Sequence, residues 1–67
     1  MGRESDESHD DPLLLLPEVA ELCRMSESTL RWLRHRGEGP PGFRMGRRIL
    51  FRRSAVHQWI AEHEKAQ

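Results

Sequence analysis

The stretch that decides the fold is Ser26-Glu27-Ser28-Thr29-Leu30-Arg31-Trp32-Leu33-Arg34-His35-Arg36-Gly37. Ser26 is a good N-cap, because its hydroxyl accepts an amide that the first helical turn leaves unpaired. Gly37 suits the left-handed residue that closes a helix. Between them Thr29, Leu30 and Leu33 fall on one side at helical spacing. Ser28, Arg31 and His35 fall on the opposite side, with Glu27 and Trp32 at its flanks. Arg31, Arg34 and Arg36 in the second half also suit the negative end of a helix. The stretch predicts a helix over 27–36 that packs on one face and offers arginine, histidine and hydroxyl groups on the other.

Upstream, Pro17 fits a first helical position, where its missing N–H costs nothing. Val19, Ala20, Leu22 and Cys23 share one side of the following turns, and Glu18 and Glu21 the other. This predicts a short amphipathic helix joined to the next by a tight connection at Arg24 and Met25. Downstream, Glu38-Gly39-Pro40-Pro41-Gly42 is neither helix nor central strand, so it is read as a rigid turn. Phe43-Arg44-Met45 and Arg48-Ile49-Leu50-Phe51-Arg52 then flank Gly46-Arg47, a loop with glycine first, as a type II′ hairpin requires. Alternation pairs Phe43 with Met45 and Ile49 with Phe51 on apolar faces. It points Arg44, Arg48 and Arg52 the other way, alongside Leu50. Ser54 is expected to cap a third helix reaching Lys65, with Val56, Trp59, Ile60 and His63 as its inner stripe. The expected core is Val19, Leu22, Leu30, Trp32, Leu33, Phe43, Ile49, Phe51, Val56, Trp59 and Ile60. The fold class that follows is mainly α with a small β-hairpin, a winged helix-turn-helix.

A chain of 67 residues holds one small domain. Its formal charge is zero, which argues against nucleic acid until the charges are located. Residues 1–12 carry five acids against Arg3, a net −4, and read as a disordered acidic tail. Residues 13–67 form the expected domain, with ten bases and six acids. Residues 24–53 within it carry nine arginines against Glu27 and Glu38, a net +7. The basic charge is concentrated on the second helix and the hairpin.

Other classes are excluded more directly. Cys23 is the only cysteine, so no internal disulfide or thiol-rich zinc site is expected. His9, His35, His57 and His63 have no metal-ligand spacing, and no metal or other cofactor is expected. The longest apolar run, Leu13 to Leu16, is far short of the ~20 residues of a membrane span and follows acids rather than bases. No membrane partner and a cytoplasmic location are expected. No nucleophile–base–acid set or paired carboxylates stand out, so catalysis and a small-molecule ligand are not expected.

A basic helix and an arginine-tipped hairpin suit double-stranded DNA. The major groove, about 12 Å wide, admits an α-helix whose N-terminal half meets base edges. Ser26, Glu27, Ser28, Thr29, Arg31, Arg34 and His35 are the candidate contacts on the helix. Arg44, Arg47 and Arg48 are the candidates on the wing, for phosphates or an adjacent minor groove.

The sequence resembles the excisionase-type helix-turn-helix proteins, relatives of the MerR DNA-binding domain. The resemblance is carried by Leu15-Leu16-Pro17-Glu18-Val19-Ala20-Glu21-Leu22, by residues 26–36 with Gly37-Glu38-Gly39-Pro40-Pro41, by Met45-Gly46-Arg47-Arg48, and by Phe51-Arg52-Arg53-Ser54-Ala55-Val56-His57-Gln58-Trp59. It implies a second helix in the major groove and a wing on the neighbouring minor groove or backbone. It also implies a small phage or plasmid excisionase, which binds and bends attachment-site DNA cooperatively and directs an integrase toward excision. Two departures concern capping: Leu16 stands where a Thr or Ser is usual, and Ala55 replaces an Asp after Ser54. The acidic tail has no counterpart in the shared motifs. A small transcription regulator and a protein-interaction module are the alternative readings. Self-association along DNA, an integrase partner and a nucleoid location in a bacterial host belong to the first.

Overall fold

The computed structural model describes residues 11–66. The acidic residues 1–10, and with them most of the expected tail, lie outside the described residues. The elements run β1 (Leu13–Leu15), α1 (Leu16–Leu22), α2 (Glu27–His35), β2 (Phe43–Met45), β3 (Arg48–Arg52) and α3 (Arg53–Ala66). Three helices and a small antiparallel sheet are consistent with a winged helix-turn-helix. Among the described residues no helix is long and apolar enough to cross a membrane.

The expected hairpin forms with its two-residue loop, and Gly46 adopts φ +67°. Only Gly tolerates that region freely, and Arg47 keeps a negative φ. Beyond the hairpin, the apolar run at Leu13 forms a third strand. The sheet order is β1-β3-β2, with Leu14 opposite Phe51 and Leu15 opposite Leu50. A continuous apolar triplet has no alternation to announce a strand, and its partner is far along the chain.

The register corrects the expected faces of the hairpin. A two-residue loop sets Met45 opposite Arg48, which places Phe43 opposite Leu50 and Arg44 opposite Ile49. Residues directly opposite in an antiparallel pair project to the same side. Arg44 therefore shares the inner side with Ile49 and Phe51. Phe43 and Met45 lie on the outer side with Leu50 and Arg48.

The core is Leu16, Val19, Ala20, Leu30, Phe51 and Val56, gathered where α1, α2 and α3 meet the inner side of the sheet. Ile49 and Ile60 pack against it half-buried, and Leu33 and Trp59 are also half-buried. Three expected core residues are exposed instead: Leu22 (41%), Trp32 (55%) and Phe43 (38%). The stripe of α1 is Leu16, Val19, Ala20 and Cys23, spaced i, i+3, i+4, i+7. Leu22 stands one turn from Glu18, on the solvent side. Trp32 lies on the far side of α2 from Leu30 and Leu33, and Phe43 is turned outward by the register.

The caps also differ from expectation. Helix α1 begins at Leu16, so its N-cap is Leu15. Leu15 has no acceptor, and Glu18 Oε1 instead accepts the Leu15 amide at 2.7 Å. Helix α3 begins at Arg53, which places Ser54 inside the first turn rather than at the cap. Asp11 accepts the Ser54 amide at 2.8 Å, and Pro12 O accepts the Arg53 amide at 3.1 Å. Asp11 and Pro12 thus belong to the folded body.

Candidate nucleic-acid interface

Helix α2 starts as expected. The Ser26 hydroxyl accepts the Thr29 amide at 3.1 Å and donates to Thr29 Oγ1 at 2.8 Å, with Ser28 Oγ at 3.2 Å. Ser26 and Thr29 are occupied in holding the helix end, and both remain exposed. Together they hold the first turn, where Glu27 and Ser28 are exposed to solvent.

Glu27 Oε1 approaches Arg31 Nη2 at 3.6 Å, one turn along the same exposed face. With both side chains about half exposed, such a pair contributes little and is screened by salt. His35 extends the same exposed face, and Arg34 sits half-buried toward the sheet.

Two clefts join α2 to the wing. One is lined by Arg31, Arg47, Arg48 and Ile49 together with the start of α1 at Leu16 and Pro17. The other is lined by Arg31, Arg34, His35, Arg44 and Ile49. Arg31 borders both, and Ile49 is common to their walls. The inward turn of Arg44 is what brings it to α2. Among the described residues, Arg34, Arg44, Arg47 and Arg48 have no carboxylate within ion-pair distance. Arg34 Nε is buried without a hydrogen-bond partner among the described residues. Arginines that line these neighbouring clefts without an ion-pair partner among the described residues form a surface suited to phosphate oxygens.

Trp32 is the residue on this side that sequence reasoning placed elsewhere. It is exposed, and the Arg36 guanidinium lies 4.9 Å from its ring centroid. Arg36 is held there by Glu38, which accepts from Nε at 3.2 Å and from Nη2 at 3.0 Å. That pairing lowers the Glu38 pKa below the ordinary 4.5, through the hydrogen bond first and the charge second. An aromatic ring beside Ser28 and His35 adds apolar surface of the kind that meets thymine methyl groups. The helical spacing that set Trp32 at the flank of the outward face was the available signal.

A family model described as a helix-turn-helix domain matches residues 13–64, from β1 through most of α3. No curated protein and no solved structure matches the chain.

Proposed function

The chain belongs to the helix-turn-helix domain family, and from that premise we propose that it is an excisionase acting by binding DNA rather than by catalysis. The observation that carries the reading is the meeting of α2 and the hairpin at Arg31. A major-groove helix and a wing able to reach the backbone beside it then act as one surface. The resemblance of residues 14–60 to MerR-like excisionases supports the finer assignment.

In this reading Ser28, Arg31 and His35 meet base edges, and Arg34, Arg44, Arg47 and Arg48 hold phosphates on either side. One helix and one wing cover little sequence, so a single copy binds weakly. Adjacent copies on attachment-site DNA supply affinity and bend the duplex, at a deformation cost on the order of 1–6 kcal/mol. The bent complex directs an integrase toward excision, in the cytoplasm of a bacterial host at the nucleoid.

The test is recombination in vitro between attachment sites with the cognate integrase, with and without this protein. Excision that requires it, together with a footprint inside the attachment site, supports the proposal. Excision that proceeds equally well in its absence overturns it. A footprint at a promoter, with reporter response and no effect on recombination, assigns the chain to transcription regulation instead.

A further inference from the structure

Trp32 is the large apolar side chain that α2 leaves in solvent, 55% exposed. Ser28 stands one turn before it and Arg36 one turn after it, along one row of the helix. The row flanks the outward face on the side away from the wing, and neither arginine cleft includes Trp32.

The ring is held rather than left free to turn. The Arg36 guanidinium lies over it, 4.9 Å from the centroid. Glu38 fixes that guanidinium with two hydrogen bonds, from Nε at 3.2 Å and from Nη2 at 3.0 Å. Two parallel bonds define the plane of the group, which an ammonium on a flexible stem cannot reproduce. Glu38 is anchored in turn through its backbone. Its amide donates to Leu33 O at 2.9 Å, and its carbonyl accepts the Trp59 indole N–H at 3.2 Å. Gly37, at φ +75°, turns the chain so that the Glu38 carboxylate returns to Arg36. A line of contacts thus runs from half-buried Trp59 on α3, through Glu38 and Arg36, to Trp32 at the surface.

Duplex DNA gives such a ring one apolar feature to meet. The base faces are stacked on one another, and the major groove presents donors, acceptors and the 5-methyl group of thymine. We propose that Trp32 is a specificity-determining residue that reads a thymine methyl group, and that Glu38 is a positioning residue that holds the indole through Arg36 without touching DNA. The proposal deepens the DNA-binding reading and rests on it. It gives the loss of Glu38 two effects of opposite sign. Removing a carboxylate next to the groove favours every duplex, because phosphate then meets less negative charge. Releasing Arg36 from its fixed plane loosens the indole and removes the discrimination that depends on its position.

The test is titration of the full chain against the duplex its footprint defines, with each thymine in turn replaced by deoxyuridine. That replacement removes the methyl group alone. The wild type is expected to lose affinity about four-fold at one position, the worth of one buried methyl group. Trp32→Ala should bind the thymine duplex more weakly and be indifferent to the replacement. Glu38→Ala should lose the discrimination while binding random duplex more tightly, a pair of changes that a merely structural role would not produce. Arg36→Lys keeps the charge but not the planar pair, so it should lose the discrimination with its salt slope unchanged. All three positions are exposed, and circular dichroism melts verify that each variant is folded. A wild type indifferent to deoxyuridine at every position overturns the proposal, as does Trp32→Ala that keeps the discrimination. Glu38→Ala that keeps it overturns the positioning role. Tight binding that ignores the methyl groups leaves the DNA-binding reading standing, whereas failure to bind any duplex overturns that reading as well.

Discussion

Asp11 holds Ser54 with both carboxylate oxygens: Oδ1 accepts the amide at 2.8 Å and Oδ2 the hydroxyl at 3.0 Å. A residue from the acidic N-terminal run therefore does the work of a helix cap for α3, 43 positions away. The Ser54 amide is the main cause that lowers the Asp11 pKa below its ordinary 3.8, with Arg52 and Arg53 adding to it. A lowered carboxylate stabilises the fold above its unfolded value, and that contribution is lost as pH falls through the folded value. Asp11→Ala is thus expected to lower the melting midpoint at neutral pH. The difference from wild type should shrink as the pH drops from 3.8 downward. Melts followed by circular dichroism across that range check this, and a gap independent of pH would contradict it.

Arg24 is expected to be a poor choice at its position. The end of α1 is closed by Arg24 donating to Glu21 O at 3.1 Å and Met25 to Ala20 O at 2.9 Å. The end of α2 is closed in the same pattern by Gly37 to Arg34 O at 3.0 Å and Glu38 to Leu33 O at 2.9 Å. The closing residue is left-handed in both, with φ +59° at Arg24 and +75° at Gly37. A side chain in that region costs about 1–2 kcal/mol, which glycine avoids. Arg24→Gly should therefore stabilise the chain by up to about 1 kcal/mol after its own entropy cost. Urea unfolding measures it, and a destabilised variant would show that Arg24 makes a contact worth more than the strain.

What was legible in the sequence was local. Ser26 and Gly37 bounded α2, Gly46-Arg47 set the hairpin loop, and the spacing of Arg31 and His35 placed both on one exposed face. What was missed depends on pairing across the chain. Leu13–Leu15 becomes a strand only because Arg48–Arg52 is there to receive it. Asp11 looked like one acid among five, because nothing near it reveals that its partner is Ser54. The error at Arg44 was different in kind. The two-residue loop already implied that Met45 faces Arg48, and hence that Arg44 lies beside Ile49 rather than with the outward arginines. The outward position of Leu50 was readable, and Phe43 and Met45 join it there.

Arg31 and Arg47 are expected to divide the work of binding. Arg31 stands on the helix face, where among the described residues its one ion-pair partner is the exposed Glu27 at 3.6 Å. Arg47 stands at the hairpin loop, beyond the helix. Arg31→Ala should narrow the gap between specific and random DNA by ~1–3 kcal/mol, the worth of a bidentate base contact. Arg47→Ala should weaken all sequences alike and reduce the salt slope by about one. Titrations of cognate and random duplexes at several salt concentrations separate the two. Equal losses on both duplexes for both variants would remove the distinction.

Arg34 should show opposite effects on stability and binding. Among the described residues its Nε is buried without a partner, beside Arg44 and Ile49 in a cleft lined by no carboxylate. An unsatisfied buried donor costs about 1–3 kcal/mol in the free protein, and a phosphate oxygen in the cleft would satisfy it. Replacing Arg34 by Met keeps much of the apolar stem while removing the donor and the charge. Arg34→Met is therefore expected to unfold at higher urea, by an amount on the order of 1 kcal/mol, and to bind every duplex more weakly. A purely structural arginine would give the reverse sign in the unfolding experiment, since its loss would destabilise the fold. Arg44→Met is the matched comparison, because Arg44 is exposed and makes no ion pair among the described residues. It should weaken binding with little change in urea midpoint. If Arg34→Met gains stability without losing affinity, the cleft between α2 and β2 does not hold phosphate, and the backbone contact must be sought at Arg47 and Arg48 alone.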